Sequence, residues 1–159
     1  MESEPPMFVR CIPVGTAQEM FDTVRAEADR QDIIIKAAAV ADYTPDTVAP
    51  EKIKKSGEGL TVSLKRTQDI LAYLGEHKRP GQVLCGFAME TEDLLENARK
   101  KLETKHCDMI CANSLRREGA GFGTDTNVLT LLTRDGTQEL ELMSKEQAAH
   151  RILDRLAAM

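Results

Sequence analysis

Two groups of lysines and one aspartate are the side chains of this sequence best suited to handling an anion. Lys52, Lys54 and Lys55 cluster around Ile53 in a stretch that also carries Pro45, Pro50, Gly57 and Gly59. A lysine is a flexible point charge, suited to phosphate or to charge that develops during a reaction. The cluster follows the apolar run Ile33 to Val40 by about a dozen residues, so a loop could close it over a ligand. A solvated loop would explain the same lysines without any function. Lys101 and Lys105 stand four apart, hence on one helix face. They would hold an anion through their side chains, or merely complement a helix macrodipole. Asp42 follows the apolar run, where it could bond a base or ribose, bind a metal, or cap a turn.

Two weaker signals accompany these. Thr67-Gln68-Asp69-Ile70 opens a helix, with Thr67 as the expected cap, and exposed amides there could meet an anion or base. Phe87 follows Gly86 at a strand end, where an aromatic could stack on a base or simply join the core. His77, His106 and His150 lie near helix ends, and none pairs with a Ser or Cys at a recognisable spacing. Neither GxGxxG nor GxxxxGK[ST] occurs, so the usual dinucleotide and P-loop cradles are absent from this sequence.

The elements that must position these residues follow from periodicity. Phe8 to Val14 reads as a weak strand. Thr16 and Glu19 form a capping box, and Met20, Phe21, Val24 and Ala28 at helical spacing predict a helix over 17–30. Ile33 to Val40 reads as a strand apolar on both faces, as parallel strands under helices are. Asp42 to Leu60 reads as a long structureless loop, of the kind that is functional or mobile, and Leu60 to Leu64 as a short strand. A helix over 68–76, a strand over 82–87, a helix over 90–105 capped by Thr91 and a strand over 108–112 come next. Asn113 to Thr126 is a glycine-bearing loop; 128–133 and 137–142 flank Asp135-Gly136 as a hairpin. Ser144 and Gln147 form a second capping box opening a helix to 157. Strands alternating with helices predict an α/β fold: a doubly wound, mainly parallel, Rossmann-like sheet with an antiparallel hairpin annex. In such sheets ligands sit at the carboxyl ends of the strands, which makes Lys36 to Lys55 the stretch around which the rest is organised.

Composition narrows the function. A hydrophobic fraction of 42% in 159 residues supports one packed domain, or one with an extension. The 21 basic and 26 acidic residues leave a charge of −5, which argues against a general nucleic-acid binder but allows a local pocket for a phosphorylated small molecule. Three of the cysteines, Cys85, Cys107 and Cys111, sit in or beside apolar runs, as reduced thiols of a cytoplasmic protein would. Cys107 and Cys111 would share a strand face, but no second ligand pair at zinc spacing exists, so no metal site is assigned. No apolar stretch approaches the roughly 20 residues of a membrane span, and the acidic, proline-bearing start shows no signal peptide.

Six motifs in order carry a resemblance: AAVADY, APEKIKK, TQDI, GFAMET, ARKKLETKHCDMICAN and GFGTDTNVLTLL. Together they resemble phosphopantothenoylcysteine synthetase, in many bacteria the C-terminal half of a bifunctional flavoprotein of coenzyme A synthesis. The resemblance covers residues 8–159 as a nucleotide-binding domain and leaves 1–7 as a linker or expression scar. It implies a ligase: 4'-phosphopantothenate attacks CTP, giving an acyl-cytidylate and pyrophosphate, and cysteine then displaces CMP. Mg2+ would accompany CTP, and FMN would be present only where a decarboxylase is fused. The resemblance places Lys36, Ala37, Ala38, Asp42, Thr67, Gln68, Asp69, Ile70, Phe87, Lys101 and Lys105 around CTP. It matches Lys52 to a loop lysine that closes over the acyl-cytidylate, binding the nucleotide and acting in catalysis. A homodimer is implied, for which residues 127–142 are the candidate interface.

One departure stands out. The family opens with a strand and a glycine-rich segment resembling GPTREPIDPVR and SSGKMG, which cradles phosphate and carries an Asn for the intermediate. This sequence contains neither, so it is expected to be a truncated form. The alternative function is therefore a CTP-binding but inactive fragment, or a non-catalytic regulatory module. An NAD-type oxidoreductase on the same sheet would require the missing GxGxxG.

Overall fold

The structure is a computed structural model and describes residues 7–54, 57, 59–90, 93–114 and 126–159. Helix α1 spans Ala17–Ala28, and Thr16 caps it by accepting a hydrogen bond from the Glu19 N–H at 3.1 Å. The Glu19 carboxylate turns back onto the Gly15 N–H at 2.6 Å, one residue earlier than a standard capping box would have it. Phe21 is the buried residue of α1, and it meets Tyr73 edge-on at 5.0 Å. Residues 8–14, expected as a strand, form none and are largely exposed.

The main sheet is mixed. Strands β1 (Ile33–Lys36), β4 (Val83–Glu90) and β5 (Met109–Ser114) run parallel, and β7 (Leu129–Thr133) and β8 (Gly136–Glu139) continue the sheet antiparallel, in the order β1-β4-β5-β7-β8. Helices α2 (Ile70–His77) and α3 (Leu94–Thr104) make the parallel crossovers, and α4 (Lys145–Ala157) closes the chain. Two cores result, one on each face. On one, Phe21, Leu71, Leu74, Ala98 and Leu102 meet Leu84, Ile110 and Leu132. On the other, Ala148, Ile152 and Leu156 of α4 meet Cys85, Met109, Cys111, Leu129 and Leu131. Residues alternate between these faces along β5, as the period of two requires. Among the described residues no helix is long and apolar enough to cross a membrane.

Several expectations are corrected. The first strand ends at Lys36 rather than Val40, and it is a sheet edge, leaving Ile33 and Ile35 partly exposed rather than buried on both faces. The long loop is not structureless: β2 (Tyr43–Pro45) pairs antiparallel with β3 (Leu64–Arg66), which begins where the expected 60–64 strand ends. Asp69, not Thr67, caps α2, because its carboxylate reaches the Ala72 N–H at 2.9 Å. Strand β4 runs on through Glu90, so α3 starts only at Leu94, after Asp93 in a left-handed conformation (φ 49°). The expected cap Thr91 lies outside the described residues, as does most of the 113–126 loop; Asn113 and Ser114 belong to β5 instead. The antiparallel hairpin forms as expected, and it attaches to the parallel strands through β5. Capping by Ser144 and Gln147 forms as expected.

Cys107 and Cys111 do not share a face. Cys107 precedes β5, just after His106 at φ 50°, and joins the core under α2 and α3, whereas Cys111 joins the core under α4. Burial pushes the Cys107 thiol up to about 12, which suits an inert core group. No cluster of three metal-ligating side chains exists among the described residues.

One carboxylate joins β4 to β5. Asp108 accepts the Leu84 N–H at 2.7 Å and the Lys78 ammonium at 2.7 Å, while its own N–H donates to the Leu84 carbonyl at 2.9 Å. Asp108→Ala would strand a buried amide and leave a half-sheltered ammonium unpaired. The expected loss is about 2–4 kcal/mol, read as a lower urea midpoint. Asp108→Asn, which keeps an acceptor for Leu84, should lose less; equal losses would mean that the ion pair alone matters.

Candidate functional site

A cleft of about 1010 Å³ opens along the carboxyl ends of β1, β4 and β5. Its walls come from distant segments: Lys36 to Val40 and Asp42 after β1, Thr67 to Leu71 at the start of α2, Phe87 to Met89 of β4, and one face of α3. The β2–β3 ladder brings the first two walls together. With Tyr43 opposite Arg66, Asp42 and Thr67 fall side by side: the Thr67 N–H donates to the Asp42 carbonyl at 3.0 Å, and the Thr67 hydroxyl donates to the Ala41 carbonyl at 2.6 Å.

Three lysines on the wall are tethered to the protein. Lys36 donates to the Ala38 carbonyl at 2.7 Å and Lys101 to the Phe87 carbonyl at 2.8 Å. Lys105 pairs with Asp69 at 2.7 Å. These bonds aim long side chains at the cleft and reduce the rotamer entropy that ligand binding must otherwise remove.

Two of the cleft-lining residues, Lys36 and Asp69, have shifted pKa values. Burial lowers that of Lys36 most, and the Lys101 ammonium adds to the shift; Asp69 and Asp42 oppose it without reversing it. An anion in the cleft would raise the Lys36 value again, so binding at alkaline pH should be accompanied by proton uptake. Calorimetry in buffers of different ionisation enthalpy reads that proton directly. For Asp69, burial pushes the carboxyl up, but the bonds from Lys105 and from the Ala72 N–H outweigh it, and the net shift is downward. A depressed carboxylate contributes stability that is present above its unfolded value, near 3.9, and lost as pH falls through the folded value. Asp69→Asn should therefore flatten the loss of stability between about pH 5 and pH 2, measured by urea unfolding. The effect is small because the Asp69 side chain is 53% exposed. An unchanged acid limb would exclude Asp69 as its source.

Of the residues expected around a nucleotide, Lys36, Ala37, Ala38, Asp42, Thr67, Gln68, Asp69, Ile70, Phe87, Lys101 and Lys105 all line this cleft. Lys52 does not; it is exposed, on the stretch between β2 and β3. The cleft also contains residues that sequence reasoning missed: Asn97, Lys100, Thr104, Asn113 and Lys145. Asn97 was within reach, lying one helical step before Lys101 on the same face of α3. Nothing local marks Asn113 or Lys145, which reach the cleft through strand pairing and the placement of α4.

The sequence profile described as DNA/pantothenate metabolism flavoprotein C-terminal domain matches residues 1–159. The chain belongs to this family. It is 48% identical over 157 residues to the "Coenzyme A biosynthesis bifunctional protein CoaBC" of Bacillus subtilis (strain 168), covering 98% of this chain and 38% of that protein. The Escherichia coli (strain K12) protein of the same name is 42% identical over 154 residues, covering 95% of this chain and 38% of that one. Among solved structures, the C-terminal domain of a Coenzyme A biosynthesis bifunctional protein CoaBC is 41% identical, with a TM-score of 0.79, covering 99% of this chain and 71% of that one. A DNA/pantothenate metabolism flavoprotein from Streptococcus pneumoniae shares the fold at a TM-score of 0.80 and 21% identity, covering 99% of this chain and 76% of that one. The motif resemblance and the α/β fold are thus borne out at family level. The chain spans 38% of the length of the two curated relatives.

Proposed function

We propose that this chain is the nucleotide-handling part of a cytoplasmic phosphopantothenate–cysteine ligase of coenzyme A biosynthesis. CTP activates 4'-phosphopantothenate as an acyl-cytidylate with release of pyrophosphate, and cysteine then displaces CMP to form the amide. One observation carries the reading. The residues that the family resemblance assigns to CTP come from separate segments of the chain, and all but Lys52 converge on one cleft. The tethered Lys36, Lys101 and Lys105 supply fixed positive charge there, as stabilisation of a phosphoryl group requires.

Lys52 would act from the stretch between β2 and β3, bringing its ammonium over the α-phosphate once substrate is bound. Mg2+ would arrive with the triphosphate and keep most of its waters; the Asp42 carboxylate on the cleft wall suits a contact to that hydrated ion. FMN belongs to a decarboxylase part where one is fused. The protein would be a homodimer through residues 127–142. The outer strand of that hairpin, β8, has exposed side chains and pairs on one side only among the described residues, leaving an edge open to pairing. Light scattering tests the dimer: a monomer at high concentration excludes it.

A ligand that binds the folded state raises the melting point by mass action. CTP at about a hundred times its dissociation constant should add roughly 2.7 kcal/mol, and ATP and NAD should add less. A chain unmoved by all three sinks the nucleotide reading. A second reading is a CTP-binding fragment or a regulatory module without turnover. Pyrophosphate release on adding CTP, 4'-phosphopantothenate and cysteine separates the two.

A further inference from the structure

The cleft has a second end, built differently from the first. Asn113, near the end of β5, and Lys145, the first residue of α4, both line it. The strand order puts β4 between them and Lys36, and alternation along β5 puts Asn113 on the face of Cys111, under α4. Asp69 and Lys105, by contrast, cap α2 and α3, the helices on the opposite face.

Asn113 is 5% exposed, and its Oδ1 has no hydrogen-bond partner among the described residues. A buried carbonyl oxygen left unpaired carries a desolvation cost, and such groups require an explanation. This oxygen would repel phosphate; it calls for an N–H or O–H donor. At Lys145 the requirement reverses. Lys145 brings an ammonium to the start of α4, a helix of 13 residues. The capping box occupies the N–H groups of Ser144 and Gln147, so those of Lys145 and Glu146 have no acceptor within the helix. Ammonium and helix dipole together favour a carboxylate.

An acceptor for an amine and a cationic corner for a carboxylate are the complement of a zwitterionic α-amino acid. We propose that this end of the cleft is the amino-acid subsite, with Asn113 Oδ1 accepting from the α-amine and Lys145 pairing with the α-carboxylate. It rests on the ligase reading, in which a free amino acid must approach the activated acyl group. Holding one amine N–H on a carbonyl fixes the direction of the nitrogen lone pair, a contribution to orientation rather than to charge.

The test is NMR titration of this chain, saturated with CTP, using L-cysteine, cysteamine (no carboxylate) and 3-mercaptopropionate (no amine). The wild type should bind L-cysteine about tenfold more tightly than either analogue. Asn113→Leu should abolish the preference over 3-mercaptopropionate, and Lys145→Met the preference over cysteamine, each variant being measured at its own saturating CTP. Ratios measured on one sample cancel any loss of folded protein. Should the leucine variant fail to fold, Asn113→Asp keeps an oxygen acceptor and should retain the preference over 3-mercaptopropionate. Unchanged preferences in the variants, loss of preference in Asn113→Asp, or no cysteine binding by a CTP-bound wild type would each overturn the subsite. An amine-free ligand that still depends on Asn113 would assign the oxygen to a hydroxyl donor and overturn it too. Failure of the wild type to bind CTP refutes the nucleotide reading instead, so the two failures are distinguishable.

Discussion

Gly75→Ala is expected to cost this protein about 3 kcal/mol or more, a large part of the stability of an ordinary domain. A Cβ built on Gly75 would lie 1.9 Å from the Lys105 carbonyl oxygen and 2.9 Å from the Lys105 carbonyl carbon. Both are backbone atoms at the end of α3, so no flexible side chain can step aside. Alanine gains about 1 kcal/mol over glycine inside a helix, and the clash must exceed that gain for the prediction to hold. It should, because α2 must be pushed away from α3, through a core in which Leu71 and Leu74 are 3% exposed. The same displacement separates Asp69 from Lys105, which meet at 2.7 Å across that junction. Thermal unfolding reads the first effect as a drop of roughly 6–12 °C, at 2–4 °C per kcal/mol for a chain of this size. Nucleotide titration reads the second. An alanine variant as stable as wild type would mean that the two helices are not held this closely.

Lys101→Met is expected to weaken CTP binding by about ten- to a hundredfold, the range of one lost hydrogen bond to a charged group. Its ammonium is fixed by the Phe87 carbonyl at 2.8 Å, so it presents charge to the cleft without first being ordered. Methionine keeps the length and apolar stem of the side chain, leaving lost charge and a freed Phe87 carbonyl as the main changes. A second readout follows. Lys101 contributes to the lowered pKa of Lys36, after burial. Removing it should raise the Lys36 value and move proton uptake on CTP binding to higher pH. Lys100→Met, on the neighbouring exposed position of the cleft, should have a smaller effect. Equal losses in the two variants would show that the cleft responds to net charge, not to a positioned lysine.

Much of the site was legible because its residues stand in short motifs. Asp42 after an apolar run, TQDI at a helix start, and Lys101 with Lys105 on one helix face are local patterns, and all three reach the cleft. Their connections were not legible. Thr67 reads as a helix cap but instead bonds back to Ala41, because the β2–β3 ladder aligns segments more than twenty residues apart. Lys105 reads as a helix-dipole residue, but its ammonium also pairs with Asp69, 36 positions away.

Periodicity and capping chemistry alone determined α1, α4 and the β7–β8 hairpin, since each is stabilised by neighbours within a few positions. The family followed from ordered motifs for the same reason: short-range patterns survive in the sequence itself. Only the tertiary structure decided that the first strand is a partly exposed edge, that Gly75 must lack a side chain, and that Asn113 and Lys145 face the same space as Lys36. Those facts depend on burial and on partners supplied by distant segments. A carbonyl oxygen becomes an unmet demand only after the chain has closed around it.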